Sequence, residues 1–250
     1  VRECSNAGAI VLTDSSVTGK DFQLDTGYSI SGTVYKANGA TPVTDAVIEI
    51  NVIQDDDPCY WDDWVNGDEI KAVRTSNGSY TVHGLLPGTY YVQAQLDEDA
   101  VPIEVNYVSE WWAGTGSVHL SGCSAAEPVT IDDASVSGRD FQLDVGYSIS
   151  GTMYKADGTT RITDYEEIKV GVIRDDPCGT YGWIAVCWAD NGYYTIYGVP
   201  PGIYYLRTDS DSGMYVDEWW ADPSSSMICS NAETVTVNDV SISGKNFQLD

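Results

Sequence analysis

Asn77–Val92 reads NGSYTVHGLLPGTYYV, and Asn191–Leu206 reads NGYYTIYGVPPGIYYL. Each opens on Asn-Gly, whose residues tolerate the positive φ that a tight hairpin demands. Alternating polar and apolar residues follow at Ser79–Val82 and Tyr193–Ile196, the period of a half-buried strand. Leu86-Pro87-Gly88 and Pro200-Pro201-Gly202 turn the chain again, and Thr89–Gln95 and Ile203–Arg207 return as the next strand. The same turn-strand-turn-strand unit is therefore written twice.

Outward from this unit, the repetition covers most of the chain. Gly27–Gly39 (GYSISGTVYKANG) matches Gly146–Gly158 (GYSISGTMYKADG), and Glu110-Trp111-Trp112 matches Glu218-Trp219-Trp220. Strand alternation also marks Ser29–Tyr35, Ala46–Ile53 with Glu167–Ile173, Tyr107–Trp112 with Tyr215–Trp220, and a split final strand at Pro128–Ile131 plus Asp140–Leu143. With about seven short strands per copy and no helical periodicity, the expected fold is all-β: two tandem seven-stranded antiparallel β-sandwich domains plus an N-terminal surplus strand segment. The expected boundaries are 1–25 for that segment, 26–144 for repeat 1 and 145–250 for repeat 2.

The quoted segments, ISGTVYKANG with NGSYTVHGLLPGTYYV and ISGTMYKADG with NGYYTIYGVPPGIYYL, resemble the carboxypeptidase regulatory-like domain, a transthyretin-like sandwich. Repeat 1 carries the small-residue and proline turn of that family at Thr41-Pro42-Val43, whereas repeat 2 has Thr160-Arg161-Ile162. The resemblance implies an accessory or structural module of secreted and surface proteins, often in tandem, and no peptidase activity.

Endings outnumber bodies. VTGKDFQLD at Val17–Asp25, VSGRDFQLD at Val136–Asp144 and ISGKNFQLD at Ile242–Asp250 each follow a Cys-Ser pair, at Cys4, Cys123 and Cys229. The first has no body before it. Its Ile10 and Leu12, then Phe22 and Leu24, give it apolar faces suited to pairing with another chain by strand addition. Repeated head to tail, such a contact gives an open filament. The competing expectation is a piece of a tandem stalk, with Val1–Asp25 closing a preceding module. Self-association or covalent neighbouring modules are the expected partners.

Charge narrows the partners. The chain carries 38 acidic and 12 basic residues, a net charge of −26. That surface repels nucleic acid and anionic membranes, and no apolar run is long enough for a membrane helix. Cys59 and Cys178 stand in matching Asp-Asp-Pro-Cys stretches, which predicts disulfides Cys59–Cys123 and Cys178–Cys229 and an extracellular or cell-surface setting. Cys4 and Cys187, where repeat 1 has Val73, remain as partners for each other within the chain or across a subunit boundary.

Catalytic residues are not expected. The two histidines, His83 and His119, have no histidine counterpart in the other copy, and His119 reads as lying in a variable loop. No nucleophile elbow, zinc-protease helix or phosphate loop is written here. Asp55, Asp56 and Asp57 recur as Asp175 and Asp176, oxygen ligands that would suit calcium, against the plainer reading of a solvated acidic loop. Trp111 and Trp112, like Trp219 and Trp220, must face opposite sides of a strand. One of each pair is expected to be exposed for intermodule packing or, as the alternative, stacking on a glycan. Lys36 and Lys155 with Asn246 could form an intramolecular isopeptide, and Asn77-Gly78-Ser79 is a glycosylation sequon. The alternative to a stalk or filament is a carbohydrate- or calcium-binding accessory module of a secreted enzyme or adhesin.

Overall fold

The first strand of each copy shows why the repeated Ser-Gly-Thr is there. In the computed structural model, β1 (Tyr28–Lys36) buries Ile30 and Val34, and a Cβ on the intervening Gly32 would overlap the Arg139 carbonyl. Gly151, in β10 (Tyr147–Lys155), meets the Lys245 carbonyl in the same way. The hydroxyl of Tyr80 donates to the Arg139 carbonyl at 2.6 Å, and Tyr194 donates to that of Lys245. The glycine lets the closing segment approach, and the hairpin tyrosine holds it. The same segment's cation lies over an indole: Arg139 over Trp112 at 4.6 Å, Lys245 over Trp220 at 3.8 Å.

The structure describes residues 8–14, 16–21, 23, 26–54, 69–97, 100, 105–114, 116–119, 124–163, 168–174, 176–179, 182–210 and 213–250. Following β1 come β2 (Ile48–Ile53), β3 (Glu69–Thr75), β4 (Ser79–Leu85), β5 (Gly88–Leu96), β6 (Glu110–Ala113), β7 (Gly116–His119), β8 (Val129–Ile131) and β9 (Phe141–Leu143). After β10 come β11 (Ile168–Ile173), β12 (Ala185–Trp188), β13 (Tyr193–Val199), β14 (Gly202–Ser210), β15 (Trp219–Ala221), β16 (Ser224–Ser226), β17 (Val235–Val237) and β18 (Phe247–Leu249). One sheet of the first copy runs β4-β1-β9 and the other β3-β2-β5-β6-β7, with β8 also on β5. The second copy repeats this as β13-β10-β18 and β12-β11-β14-β15-β16, with β17 on β14.

The fold class is all-β, as two β-sandwich units. Each has its own core: Ile30, Ile50, Val92, Trp112 and Phe141 belong to the first, and Ile149, Val170, Leu206, Trp220 and Phe247 to the second. Two details differ from the sequence expectation. Among the described residues each unit shows nine strands rather than about seven, because β3 and β7, like β12 and β16, carry little alternation. The split final strand divides between sheets: β8 lies antiparallel on β5, whereas β9 runs parallel to β1, pairing Val34 with Phe141. Met153 pairs with Phe247 in the same parallel fashion. The Phe-Gln-Leu motif thus closes the module that precedes it in sequence.

Candidate functional site at the joint between the modules

The two units meet through an extended contact. Tyr107 forms an antiparallel bridge with Val145, Gly146 N–H donates to the Asn106 carbonyl at 2.6 Å, and Val108 N–H donates to that of Asp144 at 2.9 Å. Tyr107 is anchored from behind, its hydroxyl donating to Asp45 at 3.0 Å. Asp45 in turn pairs with Lys36 at 2.6 Å. Burial opposes ionisation of the Asp45 carboxyl, but the bonds from Lys36 and Tyr107 hold it below its ordinary range. Across the joint, Gly198 lies against the Tyr107 carbonyl and Tyr197 packs onto the first core. Tyr107 and Val108 are consequently 1% and 3% exposed.

The second unit carries the equivalent surface, and there it is more exposed. Val216 N–H donates to the Asp250 carbonyl as Val108 does to Asp144, yet Val216 is 45% exposed and Tyr215 only half-buried. The first module's tail is the second module's tail with a neighbour docked on it.

Beside the joint stands a mixed cluster. β6 places Glu110 opposite His119 on β7, and Asp144 follows β9 directly. His119 Nε2 is 3.1 Å from Asp144 Oδ2 and 3.7 Å from Glu110 Oε1, and Asp144 N–H donates to Glu110 Oε1 at 3.2 Å. Ser117 Oγ fastens β7 to the closing strand, accepting from Gln142 N–H at 3.0 Å and donating to its carbonyl at 3.1 Å. Glu110 is 2% exposed. Burial raises its pKa; the Ser117 hydroxyl, the Asp144 amide and His119 oppose that rise, and the Asp144 charge adds to it. One nitrogen and two carboxylates converging here are chemically able to hold a divalent cation.

The expected site residues fall out unevenly. Cys178–Cys229 is a disulfide. Cys187 is 7% exposed on β12, opposite Val170, as Val73 stands opposite Ile50. It is a core position of the second unit. Cys4, Cys59, Cys123, Phe22, Leu24, Asp55–Asp57 and Asp175 lie outside the described residues. Asp176 caps a turn by accepting from Cys178 N–H at 2.9 Å.

The tryptophans differ from expectation. Trp111, Trp112, Trp219 and Trp220 are all buried, at 2–6% exposure. The strand does send each pair to opposite faces, but both faces are covered: Trp112 lies in the core, while Trp111 meets Tyr91 edge-on at 6.4 Å between ring centroids. Ile10 and Leu12 are 53% and 70% exposed, and no strand forms among the described residues of 8–23. Asn246 Oδ1 accepts from Thr152 N–H at 2.9 Å. Asn77 stays exposed in its turn, its Oδ1 accepting from Ser79 N–H at 3.0 Å.

His119 proves to be the last residue of a strand, not part of a loop. The cluster it forms was hidden because Gly116-Ser117-Val118-His119 lacks strand alternation. Only the pairing register brings His119 to Glu110.

No protein-family model matches the chain, and no curated protein does. Similar solved structures include a streptococcal ancillary pilin, at 12% identity and a TM-score of 0.33, covering 89% of this chain and 62% of that one. A shaft pilin of Lactobacillus rhamnosus GG aligns at 10% identity and a TM-score of 0.27, covering 90% and 96%. A C-terminally truncated fimbrial tip protein of Porphyromonas gingivalis aligns at 9% and 0.28, covering 78% and 82%. The chain spans less than two thirds of the first of these. Similarity this distant does not by itself say what the chain does. Among the described residues no helix is long and apolar enough to cross a membrane.

Proposed function

We propose that this protein is a non-enzymatic structural element of the cell surface or extracellular space, built from β-sandwich modules docked end to end as a stalk or filament. The observation that carries this reading is the joint. Tyr107-Val108 is sealed by the following module, and the equivalent Tyr215-Val216 presents the same surface to a further one. The Cys178–Cys229 disulfide supports an oxidising compartment. The carboxypeptidase regulatory-like resemblance belongs with this reading, as a scaffold used in tandem.

Val1–Asp25 fits as the closing segment of a preceding module. Its Lys20 occupies the place of Arg139 and Lys245, which cover Trp112 and Trp220 in the modules that are present. In both described bodies the edge beside β1 or β10 is filled by the module's own β9 or β18. Strand addition by this segment therefore serves a body whose closing strand is absent or displaced, and docking through the joint serves every module. Sugar stacking by the Trp pairs is not carried forward, since the four indoles are buried.

The test joins a second copy, from Thr26 onward, directly after Asp250, recreating the Asp144-Val145 junction. Negative-stain electron microscopy should show four modules in a rod with every joint alike. Pairs of modules pivoting freely about the new junction would overturn the reading.

A further inference from the structure

We propose that Glu110, His119 and Asp144 form a divalent transition-metal site, suited to zinc, that clamps the first module's end at the joint. The donor atoms lie within 4.8 Å of one another. Zinc holds imidazole nitrogen and carboxylate oxygen at about 2.0–2.2 Å, so tetrahedral ligands stand roughly 3.4 Å apart. The separations of 3.1 Å and 3.7 Å from His119 Nε2 bracket that value. Little rearrangement separates the present geometry from a coordinated one.

The donor set selects among cations. Calcium takes six to eight hard oxygens and has no use for an imidazole. One nitrogen and two carboxylates match zinc and its first-row neighbours, with water completing the shell. There is room for that water, because the cluster lines an open cleft of about 250 Å³ together with Ala37, Ser117 and Gln142. Glu110 is held in place by the protein itself. It is a 98%-buried carboxylate on an otherwise apolar strand, held toward the cleft by the Asp144 amide. The second module buries its counterpart Glu218 to the same 2% exposure, so the two modules share this carboxylate and differ at the histidine.

The second module provides an internal comparison. Asp250 N–H donates to Glu218 Oε1 at 3.3 Å, and Ser225 bonds Gln248 as Ser117 bonds Gln142. The β15–β16 register pairs Trp219 with Ser226, and one further step along it would set Met227 opposite Glu218, where the first module has His119. That scaffold is the same and one ligand short. Because Asp144 immediately precedes the joint and its carbonyl holds Val108, a metal there would tie β6, β7 and the connection into one unit.

The test is calorimetric titration of zinc chloride into the whole chain, metal-free at the start, beside His119→Met and Met227→His. His119→Met installs what the second module already carries, so it should fold, which circular dichroism checks. The parent chain should bind one equivalent that His119→Met loses, with a weakening beyond the roughly 10–100-fold that removal of an outer-shell partner costs. Met227→His should add one equivalent. Calcium chloride should give no His119-dependent heat. Identical zinc isotherms for the parent chain and His119→Met would overturn the proposal, as would a Met227→His chain that gains nothing.

Discussion

Replacing Gly198 by alanine should undock the two modules without unfolding either. Gly198 sits at φ +64°, so any side chain there costs about 1–2 kcal/mol from backbone conformation alone. Its added Cβ would also stand 2.5 Å from the Tyr107 carbonyl oxygen. Carbon and oxygen tolerate approach to about 3.3 Å, so the surfaces must part by roughly 0.8 Å. That separation stretches the 2.6 Å bond from Gly146 N–H to Asn106 to about 3.4 Å and the 2.9 Å bond from Val108 N–H to Asp144 to about 3.7 Å, and loosens the Tyr107–Val145 bridge. Two such bonds contribute about 2 kcal/mol together, which is roughly a thirtyfold loss of protection.

The chain contains its own control. Gly84 is the matching position of the first module, at φ +73°, and a Cβ there would meet only the mobile tip of Lys71, at 2.6 Å. Gly84→Ala therefore carries the conformational cost without the joint. Amide hydrogen exchange, read at Gly146 and Val108, separates the two. Protection there should fall about thirtyfold in Gly198→Ala and stay at the parent level in Gly84→Ala. Equal losses in both variants, or none in Gly198→Ala, would refute the reasoning.

Three further outcomes are expected. Replacing Cys178 and Cys229 together by alanine opens a link spanning 51 residues, worth about 4 kcal/mol by loop entropy; calorimetry should show the second module's midpoint lowered by roughly 15 °C or more, with the first unchanged. Burial raises the pKa of Glu218, with the Ser225 hydroxyl and the Asp250 amide opposing and the Asp250 charge adding to the rise. Its folded-state protonation is therefore favoured, and stability is lost as pH climbs through the raised value. Glu218→Gln should stabilise by on the order of 1 kcal/mol at pH 7, an advantage that vanishes below about pH 4.5; a difference constant with pH in denaturant titrations would contradict this. Tyr194→Phe removes the hydroxyl that holds the Lys245 carbonyl, and should cost about 1 kcal/mol in urea unfolding of the second module.

Much of the scaffold is legible in the sequence because it is written locally. Asn-Gly and Pro-Gly turns, with Ile30 and Val34 or Tyr80 and Val82 alternating between them, specify strands from neighbouring residues alone. The strands that sequence reading passes over have no such signature. Ser224–Ser226 is a strand only because Trp219–Ala221 offers it an edge, and Gly116–His119 likewise borrows its geometry from β6. The parallel pairing of β9 with β1 is equally invisible, since it joins residues more than a hundred positions apart and no local pattern distinguishes parallel from antiparallel partners.

The candidate site was legible only in part. That function should be sought at the joints followed from the count of Phe-Gln-Leu-Asp endings, and the residues around Asp144 do form the contact. The roles of individual side chains depended on register and on what covers each face. Glu-Trp-Trp announces an alternating pair of indoles, but not that Tyr91 covers the outer one. His119 looked isolated because its partners, Glu110 and Asp144, come from other elements.

Nitrogen-15 relaxation of backbone amides in the 250-residue chain tests the docked joint most directly, because it reports the tumbling of each module separately. A stacked structural element requires both modules to fit one common, elongated rotational diffusion tensor. Two modules with distinct, shorter correlation times, each fitting its own tensor, would mean that Tyr107, Val108 and Gly198 do not hold them together, and would contradict the account.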